Sequence, residues 1–105
     1  MPKPLHFKPT SVEAILRGVE RLTIRRADSG YSRGDRVKAV VRPNPAFAEL
    51  EIVKVETIEL EDLTRAHLRR SGLKEMEALR DSARRVYPDE NEFDVISFEC
   101  CGELT

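Results

Sequence analysis

Apolar and polar residues alternate in short runs along most of this chain, and a helical period replaces the alternation in three places. Leu5-His6-Phe7 alternates and halts before Pro9, which lacks a ladder donor, so it predicts a brief first strand. Val12, Ile15 and Leu16 share one helical face. Thr10 and Glu13 precede them at capping-box spacing, and Gly18 stands where a left-handed residue would end a helix of roughly residues 11 to 17. Period two returns in Leu22-Thr23-Ile24-Arg25-Arg26, which puts Thr23 and Arg25 on one strand face. Turn residues at Asp28-Ser29-Gly30 and Ser32-Arg33-Gly34-Asp35 lead into the strand Arg36 to Val41, with a reversal expected at Pro43-Asn44-Pro45.

From Ala46 to Leu60 the chain reads as one long strand whose apolar phase changes twice. It runs Ala48, Leu50, Ile52, then Val53, Val55, then Ile58, Leu60. Such changes predict bulges, and bulges curl a small sheet toward a barrel. Asp62 is the expected cap of a short helix that turns Leu63, Ala66 and His67 inward and ends at Gly72. Met76, Leu79, Ala83 and Val86 define a second helix, which Pro88 stops. Phe93, Val95, Ile96 and Phe98 form a last strand, and Cys100 to Thr105 shows no pattern and is expected to fray. The order β, α, β, β, β, α, α, β implies an α+β domain. The expected architecture is a small, closed or nearly closed β-barrel of five or six strands with helices over its ends, and the single domain spans residues 1–105 with a core of about 5–99.

A chain of 105 residues closes one hydrophobic core, which excludes a multidomain enzyme. No apolar run approaches the ~20 residues that span a bilayer, and Met1 to His6 lacks the apolar stretch of a signal peptide, so a cytoplasmic location and no membrane partner are expected. The net charge of -1 conceals a division. Residues 1–45 carry ten basic and four acidic side chains, and the remainder carry eight basic and fifteen acidic ones. If each part keeps to its own side, the fold has one basic face suited to a polyanion; alternatively the charges simply solvate the surface. The adjacent Cys100 and Cys101 would close a strained disulfide ring, so free thiols are expected. His6 and His67 have no ligand spacing around them and read as structural, so neither metal nor cofactor is expected.

The densest polar constellation is Arg17-Gly18-Val19-Glu20-Arg21-Leu22-Thr23-Ile24-Arg25-Arg26, where a helix passes through a glycine turn into a strand. Here the sequence resembles the ASCH family, small barrels of the PUA-like group, whose signature is Gly-x-Lys-x-x-Thr (or Glu)-x-Arg. Gly18, Thr23 and Arg25 match it. The resemblance continues through Tyr31-Ser32-Arg33-Gly34-Asp35, Leu60-Glu61-Asp62-Leu63-Thr64, Val86-Tyr87-Pro88 and Val95-Ile96-Ser97-Phe98, covering roughly residues 5 to 99 in order. It implies, for some members, amidohydrolases that remove acetyl from N4-acetylcytidine. In these a threonine nucleophile is activated by the motif lysine, and a glutamate lies beyond the long strand. Thr23 matches the nucleophile, but Glu20 stands at the lysine position, and the glutamate position falls near Ser71-Gly72, with Glu75 and Glu77 the nearest acids. Arg21 cannot serve as the base, because a guanidinium stays protonated. On this reading little cytidine should be released from N4-acetylcytidine, with Thr23 and Glu20 as catalytic candidates if the enzyme reading holds.

The leading expectation is therefore an RNA-binding module in which Arg17, Gly18, Arg21, Thr23, Arg25 and Arg26 form a basic cleft, Tyr31 stacks on a base and Arg33 adds charge. A nucleoside-like ligand is the variant of this reading closest to the amidohydrolases. A ribonuclease of the same family is a further alternative, and so is a protein-interaction module that uses the acidic stretch between Asp62 and Val86. Arg69-Arg70 and Arg84-Arg85 read as solvated helix surface, and Phe47 reads as core.

Overall fold

Of the two phase changes in the long strand, the one after Ile52 falls at a bulge; the return at Ile58 does not, and Leu60, expected in the strand, lies in a 3-10 turn beyond it. In the computed structural model, which describes residues 3–41 and 45–104, β4 (Ala46–Ile58) shifts register against its neighbour β5 (Phe93–Glu103) between Glu49 and Leu50 and again between Ile52 and Lys54. Ahead of the second bulge, Ala48, Leu50 and Ile52 face one core. Beyond it Val55, opposite Ile96, stays with that core, whereas Ile58, opposite Phe93, turns to a second. Every residue from Phe93 to Phe98 is buried because both faces of β5 are covered there.

With β1 (Leu5–Phe7), β2 (Leu22–Arg26) and β3 (Arg36–Val41), these strands make one five-stranded mixed sheet in the order β1-β3-β4-β5-β2. The β1/β3 pair is parallel and the other pairs are antiparallel. Among the described residues the sheet curls into a half-barrel, an α+β fold with three helices, and β1 and β2 are its two edges. The predicted reversal at Pro43 and Asn44 lies outside the described residues.

Inside the curl, Leu5, Phe7, Val37, Leu50, Ile96 and Phe98 pack with Ile15 of α1 (Val12–Leu16), so the first helix plugs one end. Phe7 and Phe98 meet edge to face with ring centroids 5.8 Å apart. Each such fully buried side chain contributes about 1.5–3 kcal/mol. On the outer face, α2 (Arg65–Ser71) and α3 (Met76–Val86) seal Leu22, Phe93 and Val95 beneath Leu68, Leu79 and Ala83, with Leu63 joining them from the turn ahead of α2. Among the described residues, no helix is long and apolar enough to cross a membrane.

Four local expectations need correction. Thr10 does not cap α1. It lies inside a 3-10 turn, Pro9–Ser11, and Ser11 precedes the helix without a side-chain cap. Asp62 does not cap α2 either, because it closes its own turn by accepting the Glu59 N–H at 3.4 Å. Thr64 takes the capping role, its hydroxyl accepting from the His67 N–H while His67 Nδ1 accepts from the Thr64 N–H at 2.9 Å. Ala66, expected inward, is exposed, and so is Val86 at the end of α3. Finally, Cys100 to Glu103 do not fray: Cys100 pairs with Leu50 and Glu103 with Ala48. Backbone ladder bonds hold that segment, and side chains from Cys101 to Glu103 are exposed, so no apolar alternation marks it.

Candidate active site

The sheet fails to close between β1 and β2, and the open seam is where the polar chemistry collects. A cleft of about 660 Å³ runs along the free edge of β2, with His6, Phe7 and Lys8 on one side and α3, Leu73 and Tyr87 on the other. That volume suits one small organic ligand. Because, among the described residues, β2 pairs only with β5, residues from both of its faces reach the cleft, Leu22 and Ile24 as well as Thr23 and Arg25.

Arg25 bridges the seam. Its Nε donates to Thr23 Oγ1 at 3.0 Å, across one strand face as the alternation requires, and its Nη2 donates to the His6 carbonyl of β1 at 2.7 Å. The guanidinium also sits 5.3 Å from the Phe7 ring centroid. Thr23 Oγ1 therefore accepts from a fixed cation, leaving its own proton free to donate.

Glu20 also lines this cleft, and the glycine turn explains how it gets there. Gly18 takes φ +76°, and the Val19 and Glu20 N–H groups both donate to the Ala14 carbonyl at 2.9 and 3.1 Å. The next residue turns the other way: the Arg21 N–H donates to the Arg70 carbonyl at 2.6 Å, and its side chain lines a separate hollow of about 300 Å³. Burial pushes the Glu20 carboxyl above its ordinary pKa, against the opposing pull of a Ser11 hydrogen bond and the Arg25 charge. Ser71 reaches the cleft too, but its hydroxyl is committed to its own helix end. It donates to the Leu68 carbonyl at 2.6 Å and accepts from the Leu73 N–H at 3.1 Å.

The other expected site residues do not converge here. Arg17 pairs with Glu13 at 3.1 Å and, with Gly18 and Arg21, borders the separate hollow. Arg26 pairs with Glu90 at 3.1 Å, its guanidinium 5.7 Å from the Tyr87 ring centroid. The Tyr31 hydroxyl donates to the Pro4 carbonyl at 2.9 Å and its ring packs against the interior core, while Arg33 is exposed in its turn. His67 is locked by Thr64 on one ring nitrogen and by Glu56 Oε1 at 2.8 Å on the other. Among the described residues no three His, Cys, Asp or Glu side chains gather as a metal site, and Cys100 and Cys101 are free thiols.

Sequence reading missed Phe7, Lys8, Ser11, Arg85 and Tyr87 as cleft residues. Only Tyr87 carried a signal, through Val86-Tyr87-Pro88; the others enter by contacts between remote segments, such as the 19-residue separation from His6 to Arg25.

No protein-family model matches the chain. A curated relative from Citrobacter koseri, named N(4)-acetylcytidine amidohydrolase, is 31% identical over 101 residues, which is 94% of this chain and 97% of the relative. One of the same name from Moritella marina is 33% identical over 87 residues, 81% of each chain. Among solved structures, ASCH from Zymomonas mobilis superposes with a TM-score of 0.73 at 13% identity, covering 98% of this chain and 73% of that one.

Proposed function

The chain belongs to the ASCH family, and from that premise we propose that its seam cleft binds an N-acylated nucleoside of the N4-acetylcytidine type and hydrolyses the exocyclic amide. The observation that carries this reading is that Glu20, Thr23 and Arg25 border one cleft of small-ligand size, with Arg25 Nε already on Thr23 Oγ1. The relatives named for that activity match nearly the whole chain, which supports the same substrate class.

In the proposed reaction Thr23 Oγ1 attacks the acetyl carbonyl carbon as its proton passes to the Glu20 carboxylate. The C–N bond then breaks, and the departing amine takes that proton back. The acetyl group, held as an ester on Thr23, is released as acetate when water attacks it and the threonine hydroxyl is restored. Arg25 lowers the energy of the threonine oxygen as negative charge grows there. Glu20 thus takes the base role that the family resemblance gives to lysine. A buried carboxyl with a raised pKa is a stronger base than a solvated one, which is what a threonine proton requires.

A polynucleotide-binding reading would need Arg17, Arg21, Arg25 and Arg26 on a common surface. Arg17 and Arg21 border a different hollow and Arg26 is paired with Glu90, so the nucleoside reading has the stronger support. The test is direct: incubate the protein with N4-acetylcytidine and follow cytidine and acetate by chromatography, with Thr23→Ala and Glu20→Gln as controls.

A further inference from the structure

The chain holds nineteen acidic residues, yet Glu20 is the one acid among the described residues that line the seam cleft, against Lys8, Arg25 and Arg85. Glu20 is already answered by Ser11 and Arg25, and Arg25 by Thr23 and His6. Lys8 and Arg85 remain. Both are exposed, they come from opposite walls of the cleft, and among the described residues neither makes a side-chain hydrogen bond or ion pair. The contrast within α3 is direct. Arg84 is held by Glu77 and Asp81 at 3.1 and 3.2 Å, and Arg80 Nε donates to the Leu60 carbonyl at 3.1 Å, so only Arg85 of the three keeps a free guanidinium facing the cleft.

A neutral nucleoside gives two such cations nothing to bind. Two long cationic side chains lining one cleft, neither of them paired with a carboxylate among the described residues, match the charge of a phosphate group. Arginine can offer it a two-pronged contact and lysine a point charge. We infer that the ligand of this cleft carries a phosphate, as a nucleoside phosphate rather than a free nucleoside, with Lys8 and Arg85 as its phosphate-binding pair.

This inference rests on the nucleoside reading of the cleft, and the test separates the two. Calorimetric titration of the wild-type protein with cytidine and with cytidine 5'-monophosphate uses product-like ligands that cannot turn over. The monophosphate should bind about tenfold more tightly at low salt, since two charge-assisted contacts are added. In the double variant Lys8→Gln, Arg85→Gln, which changes only exposed side chains, the ratio of the two dissociation constants should fall to near one. A cytidine-containing tetranucleotide forms the third arm. Tighter binding than the monophosphate assigns the phosphate to an RNA chain, weaker binding assigns it to a free nucleotide, and either is consistent with the pair. Equal affinity of wild type for cytidine and its monophosphate, or a preference that survives in the double variant, overturns the inference while the nucleoside reading stands. Failure of all three ligands to bind overturns both.

Discussion

Replacing Arg25 with lysine keeps the charge and removes the fork, which makes Arg25→Lys the sharpest probe of the seam. Arginine makes two hydrogen bonds that one ammonium cannot reproduce together, Nε to Thr23 Oγ1 at 3.0 Å and Nη2 to the His6 carbonyl at 2.7 Å. Hydrogen bonds from charged donors are worth about 1.5–3 kcal/mol each. The His6 contact lies toward solvent, where water replaces part of its value, and lysine can keep one of the two bonds. A net loss of about 2 kcal/mol follows, equivalent to a fall in Tm of roughly 8–16 °C for a domain of this size. Urea titration followed by circular dichroism measures it, with the slope unchanged if the unfolded state is unaffected. On the proposed reaction, loss of the Thr23 contact should also lower kcat about 100-fold. A midpoint that corresponds to less than about 0.5 kcal/mol, together with full activity, would refute the bridging role of Arg25.

Glu20→Gln should slow turnover at least about 100-fold, and in the wild type the rate should climb with pH as the carboxyl ionises, above the usual carboxylate range because burial raises its pKa. The same shift has a stability consequence. The folded state holds the Glu20 proton more tightly than the unfolded one, so ionisation costs stability as pH rises above the ordinary glutamate value; Glu20→Gln should melt higher than wild type at pH 7, with the gap closing in acid. Asp94 behaves oppositely. Burial would raise its pKa, but the Ser29 hydroxyl and N–H at 2.6 and 2.9 Å and the Thr57 hydroxyl at 2.7 Å outweigh it, and the pKa is lowered. Its stabilisation is full above the ordinary aspartate value and disappears as pH falls through the lowered one; Asp94→Asn should cost about 2–4 kcal/mol in neutral urea titrations and flatten the acid limb of the stability profile.

The alternation of Leu22 to Arg26 was enough to place β2, and the phase change after Ile52 marked the second register shift of β4, because burial on one face of a strand writes itself into the sequence at period two; the shift at Glu49 left no phase change to read. The last turn of the sheet escaped for the converse reason: Cys101 to Glu103 are held by backbone pairing with no buried side chains to record it. The caps failed more subtly. Thr10 and Asp62 both stand one short turn ahead of their helices, and composition alone does not tell a 3-10 turn from a first helical turn.

The site divides in the same way. Thr23 and Arg25 were legible because strand periodicity and the family motif agree on them. Position 20 could be read only as a departure from a lysine. Its meaning depends on the Gly18 turn, which sends Glu20 into the cleft and Arg21 out of it, a direction fixed by Ala14 and Arg70 backbone groups that carry no sequence signature. The grouping of four arginines along the chain suggested one basic surface. A strand edge separates its members in space, and residues close in sequence end up bordering different hollows.

In the proposed reaction Thr23 and Glu20 together hydrolyse an N-acylated nucleoside. Its most direct test is single-turnover mixing of excess protein with N4-acetylcytidine at several pH values, quenched in acid and analysed by mass spectrometry. Cytidine should be released at a rate that rises with pH, with an acetyl adduct of the protein mapping to Thr23 and neither product in Thr23→Ala; Glu20→Gln should form the adduct at least about 100-fold more slowly. Cytidine release that persists in Thr23→Ala, or wild-type protein that leaves N4-acetylcytidine intact at every pH, would contradict it.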